Sequence, residues 1–263
     1  MKLQYSSSTP RENQLIDRFG REVNYIRLLV TDRCDLRCVY CMTEKMTFVP
    51  RTQLLTLEAD RFHDMTRVGE LHKTLEGIEA AIACNFDQIK LNAVVLKNHN
   101  YDEVLDLVNF CIERGIGISF IEEMPLGENV HHDRASTYCS SDELLSDLEQ
   151  HFELMPTTMK TAGQTRYYRI SEHENTRIGF ISPHSHNFYD TCNRVRLTAE
   201  GRLLLCLGQE HSIDLRHVVR SNPSDKAALD QAIIDSMEIK PKGHDFNLNS
   251  QTVLFRHMNM TGG

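Results

Sequence analysis

Thr31-Asp32-Arg33-Cys34-Asp35-Leu36-Arg37-Cys38-Val39-Tyr40-Cys41-Met42 packs three cysteines into eight residues, directly after the strand-like run Tyr25-Ile26-Arg27-Leu28-Leu29-Val30. A C-x3-C-x2-C loop brings three thiolates onto one small cluster and leaves it one ligand short. An iron–sulfur cube held by four cysteines is closed and suits electron transfer or structure, whereas three leave one iron open to chemistry. Zinc is the main alternative, but zinc sites usually show paired C-x2-C or Cys/His ligands, and the nearest fourth ligand here is remote. Structural disulfides need an oxidising compartment, and Met1 to Gly20 is mostly polar, with no apolar stretch to export the chain. No apolar run is long enough to span a bilayer either. The expectation is a cytoplasmic chain whose eight cysteines serve as metal ligands plus a few core thiols.

Composition sets only the class. The chain has 263 residues, 40% of them hydrophobic and 25% charged, which is ordinary for a globular protein with one large domain or two small ones. A net charge of −8 argues against a general nucleic-acid surface while leaving room for a local basic pocket.

Working outward from the cysteine loop, Thr56 reads as a helix N-cap. Leu71, Leu75, Ile78 and Ile82 then form an apolar stripe at helical spacing that ends near Cys84. Ile89 to Val95 reads as a strand, Val104 to Cys111 as a helix and Ile116 to Ile121 as another strand. Strand–helix–strand alternation of this kind predicts a parallel sheet of βα units. Beyond Met124 the pattern changes, with Pro125-Leu126-Gly127 and a polar stretch containing His131 and His132 marking a linker. Ser140 with Glu143 is a capping box opening a helix with Leu144, Leu148 and Phe152 on its apolar face. Short strands follow around 167–170, 178–181, 195–197 and 203–205. Ser224 reads as the cap of a last helix bearing Leu229, Ile233 and Met237.

Several side chains are placed for chemistry. Arg27 lies inside an apolar strand, with Tyr25 on its own face, and a buried guanidinium needs a partner such as a phosphate or a carboxylate. Lys90 and Asn92 share one strand face; a ligand, or an ion pair with Glu122 or Glu123, would satisfy Lys90. Arg194 and Arg196 alternate with Val195 and Leu197, and two guanidinium forks on one face suit an anion. Cys84, Cys111 and Cys139 read as ordinary buried or partly buried thiols. His184 and His186 form an H-x-H pair with no evident third ligand.

The cysteine loop resembles that of the radical S-adenosylmethionine (radical SAM) enzymes. Further runs occur in order along the chain: Asp17-Arg-Phe-Gly-Arg21, Tyr25-Ile-Arg27, Ile89-Lys-Leu-Asn92, Phe120-Ile-Glu-Glu-Met-Pro125, Cys192-Asn-Arg-Val-Arg196 and the terminal Gly262-Gly263. Together they are similar to the molybdenum cofactor biosynthesis protein A family, the GTP 3′,8-cyclases. The resemblance implies a cleavage of S-adenosylmethionine whose radical product begins the conversion of GTP to (8S)-3′,8-cyclo-7,8-dihydroguanosine 5′-triphosphate. It implies 4Fe-4S ligation by Cys34, Cys38 and Cys41, with Tyr40 and Met124 at S-adenosylmethionine. It also implies GTP contacts from Arg27, Lys90, Arg194 and Arg196, and insertion of the Gly-Gly tail into the active site. Neither nucleic acid nor membrane is an expected partner. Family members are often dimeric, and the next enzyme of the pathway receives the product.

The chain departs from the family pattern twice. Six βα units are usual there, an incomplete version of the eight-unit barrel, and only the cysteine strand, the Lys90 strand and the Phe120 strand are found here. Leu54-Leu-Thr-Leu-Glu58, similar to the family's first barrel helix, runs straight into Asp60-Arg-Phe-His63, similar to the segment after its fourth strand. The family's Gly-Gly-Glu-Pro, Thr-Asn-Gly and Ser-Leu-Asp strings are missing. The expected fold class is therefore α/β, a truncated radical SAM partial barrel of about three units followed by a smaller α+β domain. Its expected divisions are a lead-in over 1–22, the shortened barrel over 23–125 and a C-terminal domain over 126–263. Secondly, the family's second cluster uses C-x2-C-x13-C; here Cys192 and Cys206 keep the longer gap while Tyr189 stands at the first position. A phenol suits a sulfide cluster less well than a thiolate. Two further readings are a catalytically inactive remnant that binds iron–sulfur or a partner, and another radical SAM enzyme with an auxiliary cluster.

Overall fold

A computed structural model describes residues 14–28, 56–124, 133–159 and 164–244. Within them the elements run β1 (Tyr25–Leu28), α1 (Ala59–Thr66), α2 (Leu71–Ala83), β2 (Lys90–Val94), α3 (Val104–Arg114), β3 (Gly117–Ile121), α4 (Arg134–Thr137) and α5 (Ser141–Leu148). The second half adds β4 (Leu154–Pro156), β5 (Arg166–Ile170), β6 (His173–Ile181), β7 (Arg194–Leu197), β8 (Arg202–Leu204), β9 (Ser212–Asp214), α6 (Leu215–Ser221) and α7 (Lys226–Ser236). The architecture is mixed α/β. The cysteine loop, Tyr40 and the Gly-Gly tail lie outside the described residues, as does the expected linker around 125–132.

Two sheets organise the chain. The five-stranded sheet has the order β2-β3-β6-β5-β4, in which β2, β3 and β6 are parallel and β5 and β4 antiparallel. The βα alternation predicted the β2–α3–β3 unit, and α3 ends as its sequence demands. Gly115 takes a left-handed φ of 62°, and Ile116 N–H returns to the Cys111 carbonyl at 3.0 Å. Leu71 and Ile78 of α2, and Val104, Leu107, Val108 and Cys111 of α3, pack on Leu91, Ala93, Ile118, Phe120, Ile178 and Phe180 of the sheet. The β3–β6 ladder, Ile118↔Ile178 to Ile121↔Ile181, joins segments on either side of residue 126.

The four-stranded sheet has the order β1-β7-β8-β9. Its first strand, which leads into the cysteine loop, pairs in parallel with β7, about 170 residues later, and not with β2 or β3. Val23, Val195, Leu203, Leu205, Leu215 and Met237 form a second core beneath this sheet.

Two expected caps are displaced. α1 begins after Glu58, while Thr56 donates its hydroxyl to Glu103 at 2.5 Å and is fully buried. α7 is capped by Asp225, whose carboxylate accepts from Ala228 N–H, and Ser224 takes a positive φ in the preceding turn. Ahead of α1, the Thr56 oxygen accepts from Glu58 N–H at 3.1 Å while Glu103 accepts from the Thr56 hydroxyl and Leu57 N–H, which holds the threonine two residues short of the cap. Ahead of α7, the neighbouring aspartate is the stronger acceptor. Ser140 does cap α5, accepting from Glu143 N–H at 3.2 Å, while the Glu143 carboxylate pairs with Lys97 at 2.8 Å. Cys111 and Cys139 are buried thiols as expected, whereas Cys84 at the end of α2 is exposed.

Candidate functional site

The β1–β7 ladder sets Tyr25 opposite Arg194 and Arg27 opposite Arg196. Residues in register share a face, so alternation gathers Tyr25, Arg27, Arg194 and Arg196 on one side of the sheet. Val195 turns to the core on the other side. Adjacent strands lie about 4.8 Å apart, so three guanidinium groups converge over two strands. The Arg194 guanidinium sits over the Tyr25 ring, 5.1 Å from its centroid. Burial first, and the neighbouring Arg27 second, pull Arg196 down to about 10. Arg194 is lowered mainly by burial as well. An anion docked on this face would relieve both effects.

Two buried cations outside the expected set brace the same region. Arg21 donates to the Asp17 carboxylate at 2.6 Å, to the Tyr189 carbonyl at 2.6 Å, and to the carbonyls of Pro241 and Lys242 at 2.7 and 2.9 Å. Lys240, 1% exposed, donates to the Arg194 carbonyl at 3.0 Å and the Leu205 carbonyl at 2.6 Å. Leu205 directly precedes Cys206. Between them, Arg21 and Lys240 tie the lead-in, the Tyr189 turn, β7 and the 240–242 segment into one unit. The signal available in sequence was the Asp17–Arg21 spacing around Gly20, where φ is 79°. Nothing in the sequence around Lys240 indicated its carbonyl partners.

Cys192 and Cys206 are both buried beside this array, and so is Tyr189. The Tyr189 ring stacks on Phe188 with centroids 4.8 Å apart and meets His244 edge-on at 4.1 Å. Burial, followed by the nearby Cys206 and Cys192, pushes its phenol well above the usual range. The phenol is therefore neutral at physiological pH and a poor partner for iron bridged by sulfide. Among the described residues no group of three His, Cys, Asp or Glu side chains could hold a metal ion. Two thiols and a buried neutral phenol do not fit a second 4Fe-4S cluster.

Lys90 stands on the other sheet, at the start of β2. Its ammonium meets the Tyr167 hydroxyl at 3.2 Å, and the expected ion-pair partners are engaged elsewhere. Glu122 accepts from the backbone of Ser141 and His184, and Glu123 accepts from Thr137. Met124 lies just beyond β3, after Glu122 and Glu123, and is half-buried. His184 and His186 do not act as a pair: the first meets the Glu123 carbonyl at 2.9 Å and the second Asp142 at 2.6 Å. The cleft of about 630 Å³ near Arg61, Asp64 and Asp102 shares no residue with the array. No helix among the described residues is long and apolar enough to cross a membrane.

Comparison with known proteins finds a matching family and similar sequences. The family model described as Molybdenum Cofactor Synthesis C matches residues 116–246. The GTP 3′,8-cyclase of Pseudomonas entomophila (strain L48) is 42% identical over 327 residues, covering 95% of this chain and 98% of that protein. That of Saccharophagus degradans is 42% identical over 331 residues, covering 96% and 100%. An alignment of 327 positions against a chain of 263 residues leaves at least 64 positions opposite gaps. Identity at this level across nearly the whole of both chains makes this protein a member of the GTP 3′,8-cyclase family.

Proposed function

We propose that this chain acts on GTP as a 3′,8-cyclase of molybdenum cofactor biosynthesis. The observation that carries the reading is the in-register arginine face, Arg27 beside Arg196 and Arg194 beside Tyr25. Guanidinium forks bind phosphate oxygens in pairs, and partial burial strengthens each contact by lowering the local dielectric. Arg21 and Lys240 keep β7 and the Tyr189 turn in place, so the array need not reorganise when the nucleotide arrives.

Cys34, Cys38 and Cys41 are the donor set for one 4Fe-4S cluster, with Tyr40 and Met124 at S-adenosylmethionine and Lys90 as a further GTP contact. When bound, that cluster supplies the electron that cleaves S-adenosylmethionine. The fold is read as a shortened radical SAM barrel of about three βα units over 23–125, after a lead-in over 1–22, with the cysteine strand β1 parted from β2 and β3 and paired instead with β7. A C-terminal domain over 126–263 shares the five-stranded sheet with it, and the family's dimer and cytoplasmic setting complete the reading. The gap positions in the alignments support the shortening.

One observation favours a second reading. Tyr189 leaves the second cluster site without its third thiolate, which suits a chain that binds GTP without converting it.

Binding itself is tested by calorimetry and thermal unfolding. GTP at a hundred times its dissociation constant should add about 2.7 kcal/mol of stability, a rise of roughly 5–10 °C in melting temperature for a chain of this size. Arg196→Gln should weaken GTP about 10- to 100-fold, the range for a lost charged hydrogen bond. Undiminished binding by that variant would remove the arginine face from the account.

A further inference from the structure

The register of β7 and β8 reaches the two buried thiols. These strands are antiparallel, with Arg196 opposite Leu204 and Leu197 opposite Leu203. Two residues further along the same register, Arg194 comes level with Cys206. The Lys240 ammonium closes that end of the pair, donating to the Arg194 carbonyl at 3.0 Å and the Leu205 carbonyl at 2.6 Å. On the β7 side the chain is still extended at Cys192, with φ −68° and ψ 113°, and the Asn193 carbonyl accepts from Tyr25 N–H at 3.3 Å. Side chains alternate along an extended chain. Val195, Leu203 and Leu205 enter the core on one face, so Cys192, Arg194 and Cys206 fall on the other. Cys192 and Cys206 are therefore diagonal neighbours, 8% and 7% exposed.

Two buried thiols in this relation suit few ligands. Structural zinc takes four protein donors, and among the described residues no group of three His, Cys, Asp or Glu side chains could hold a metal ion. A disulfide needs its Cβ atoms about 3.8 Å apart, whereas diagonal positions across an antiparallel pair stand roughly 7 Å apart. A two-coordinate ion spans more. Its two metal–thiolate bonds, roughly 2.3 Å each, put about 4.6 Å between the sulfurs, against about 2.0 Å in a disulfide. Thiolate is a soft donor and selects Cu(I) among the first-row metals. The surroundings suit the charge as well. Burial raises the Cys206 thiol, while the Gly208 N–H that donates to its sulfur, and the cations of Lys240 and Arg21, act the other way. Cys192 in turn acts on Arg194 and Arg196. One monovalent ion on two thiolates leaves a single negative charge, which the flanking cations stabilise.

We propose that Cys192 and Cys206, left as a pair where Tyr189 stands in the third position, form a two-coordinate thiolate site for Cu(I). Each thiol releases its proton to solvent as its sulfur bonds the ion, so one Cu(I) enters, two protons leave and no electron is transferred. The site needs no nucleotide and stands or falls separately from the GTP reading.

The test titrates the full chain anaerobically with Cu(I) against a chromogenic chelator. Cys34→Ala, Cys38→Ala and Cys41→Ala are combined in one background to remove the loop thiols as competitors. That background should bind one Cu(I) per chain with release of two protons, and X-ray absorption should show two sulfur ligands and no nitrogen or oxygen. Cys192→Ser or Cys206→Ser within it should abolish binding, while Tyr189→Phe should leave it unchanged. Thermal unfolding of each metal-free variant shows that it is folded. The chain with its loop cysteines intact supplies an independent measurement, in which Cys206→Ser should lower the total Cu(I) capacity by one ion. Retention of Cu(I) by the serine variants, a third sulfur or a nitrogen ligand, loss of binding on Tyr189→Phe, or an unchanged total capacity would each overturn the pair site. Absence of Cu(I) binding in both backgrounds would overturn it too and leave the GTP reading intact.

Discussion

Truncating Arg21 to alanine will destabilise the fold by about 3–5 kcal/mol, the loss typical of breaking a buried ion pair from one side. Its partner Asp17 has a fully buried carboxylate, and the carbonyls of Tyr189, Pro241 and Lys242 would lose their donor in the same step. For a chain of this size that corresponds to a fall of roughly 10 °C in melting temperature, measurable by calorimetry. Arg21→Lys should recover only part of the loss, since a single ammonium keeps the charge but cannot span four acceptors in three directions. The pair Arg21→Met with Asp17→Asn should be milder than Arg21→Ala alone, because no uncompensated charge then stays buried. A melting temperature within about 2 °C of the unaltered chain for Arg21→Ala, less than about 1 kcal/mol, would show that the clamp is not needed.

Replacing Tyr189 with cysteine should add about four iron atoms per chain after anaerobic reconstitution with iron and sulfide, the content of one further 4Fe-4S cluster. Cys192 and Cys206 are already buried beside the site, and Arg21 holds the Tyr189 carbonyl in place at 2.6 Å. The new side chain therefore begins from a fixed backbone. Elemental analysis with the visible absorption of the cluster reads the result. Iron content equal to that of the unaltered chain would mean that the two remaining thiols are not arranged for a cluster, and that the site has diverged beyond one substitution.

The sequence carried the family and the arginine face because both are written in local patterns. Cysteine spacing is covalent bookkeeping along twelve residues, and alternation along β7 sends Arg194 and Arg196 to one side whatever the sheet. Pairing was not legible. That β1 lies against β7 depends on contacts between segments about 170 residues apart, and no local period encodes them. The same reason hid Arg21 and Lys240, whose partners are mostly backbone carbonyls far along the chain. Thr56 and Ser224 misled in a related way. Each has the residue type and setting of a cap, but Glu103 draws the first into the interior and Asp225 takes the place of the second. Tyr189 was visible as a substitution, while its neutral, stacked environment required the surrounding Phe188 and His244 to be placed.

The decisive measurement is 5′-deoxyadenosine formation by the anaerobically reconstituted chain, with S-adenosylmethionine and a reductant, in the presence and absence of GTP. A GTP-dependent yield of deoxyadenosine, accompanied by the cyclised triphosphate, is the result predicted for a working 3′,8-cyclase. Tight GTP binding with no deoxyadenosine above the GTP-free control would contradict it and leave a nucleotide-binding protein in its place.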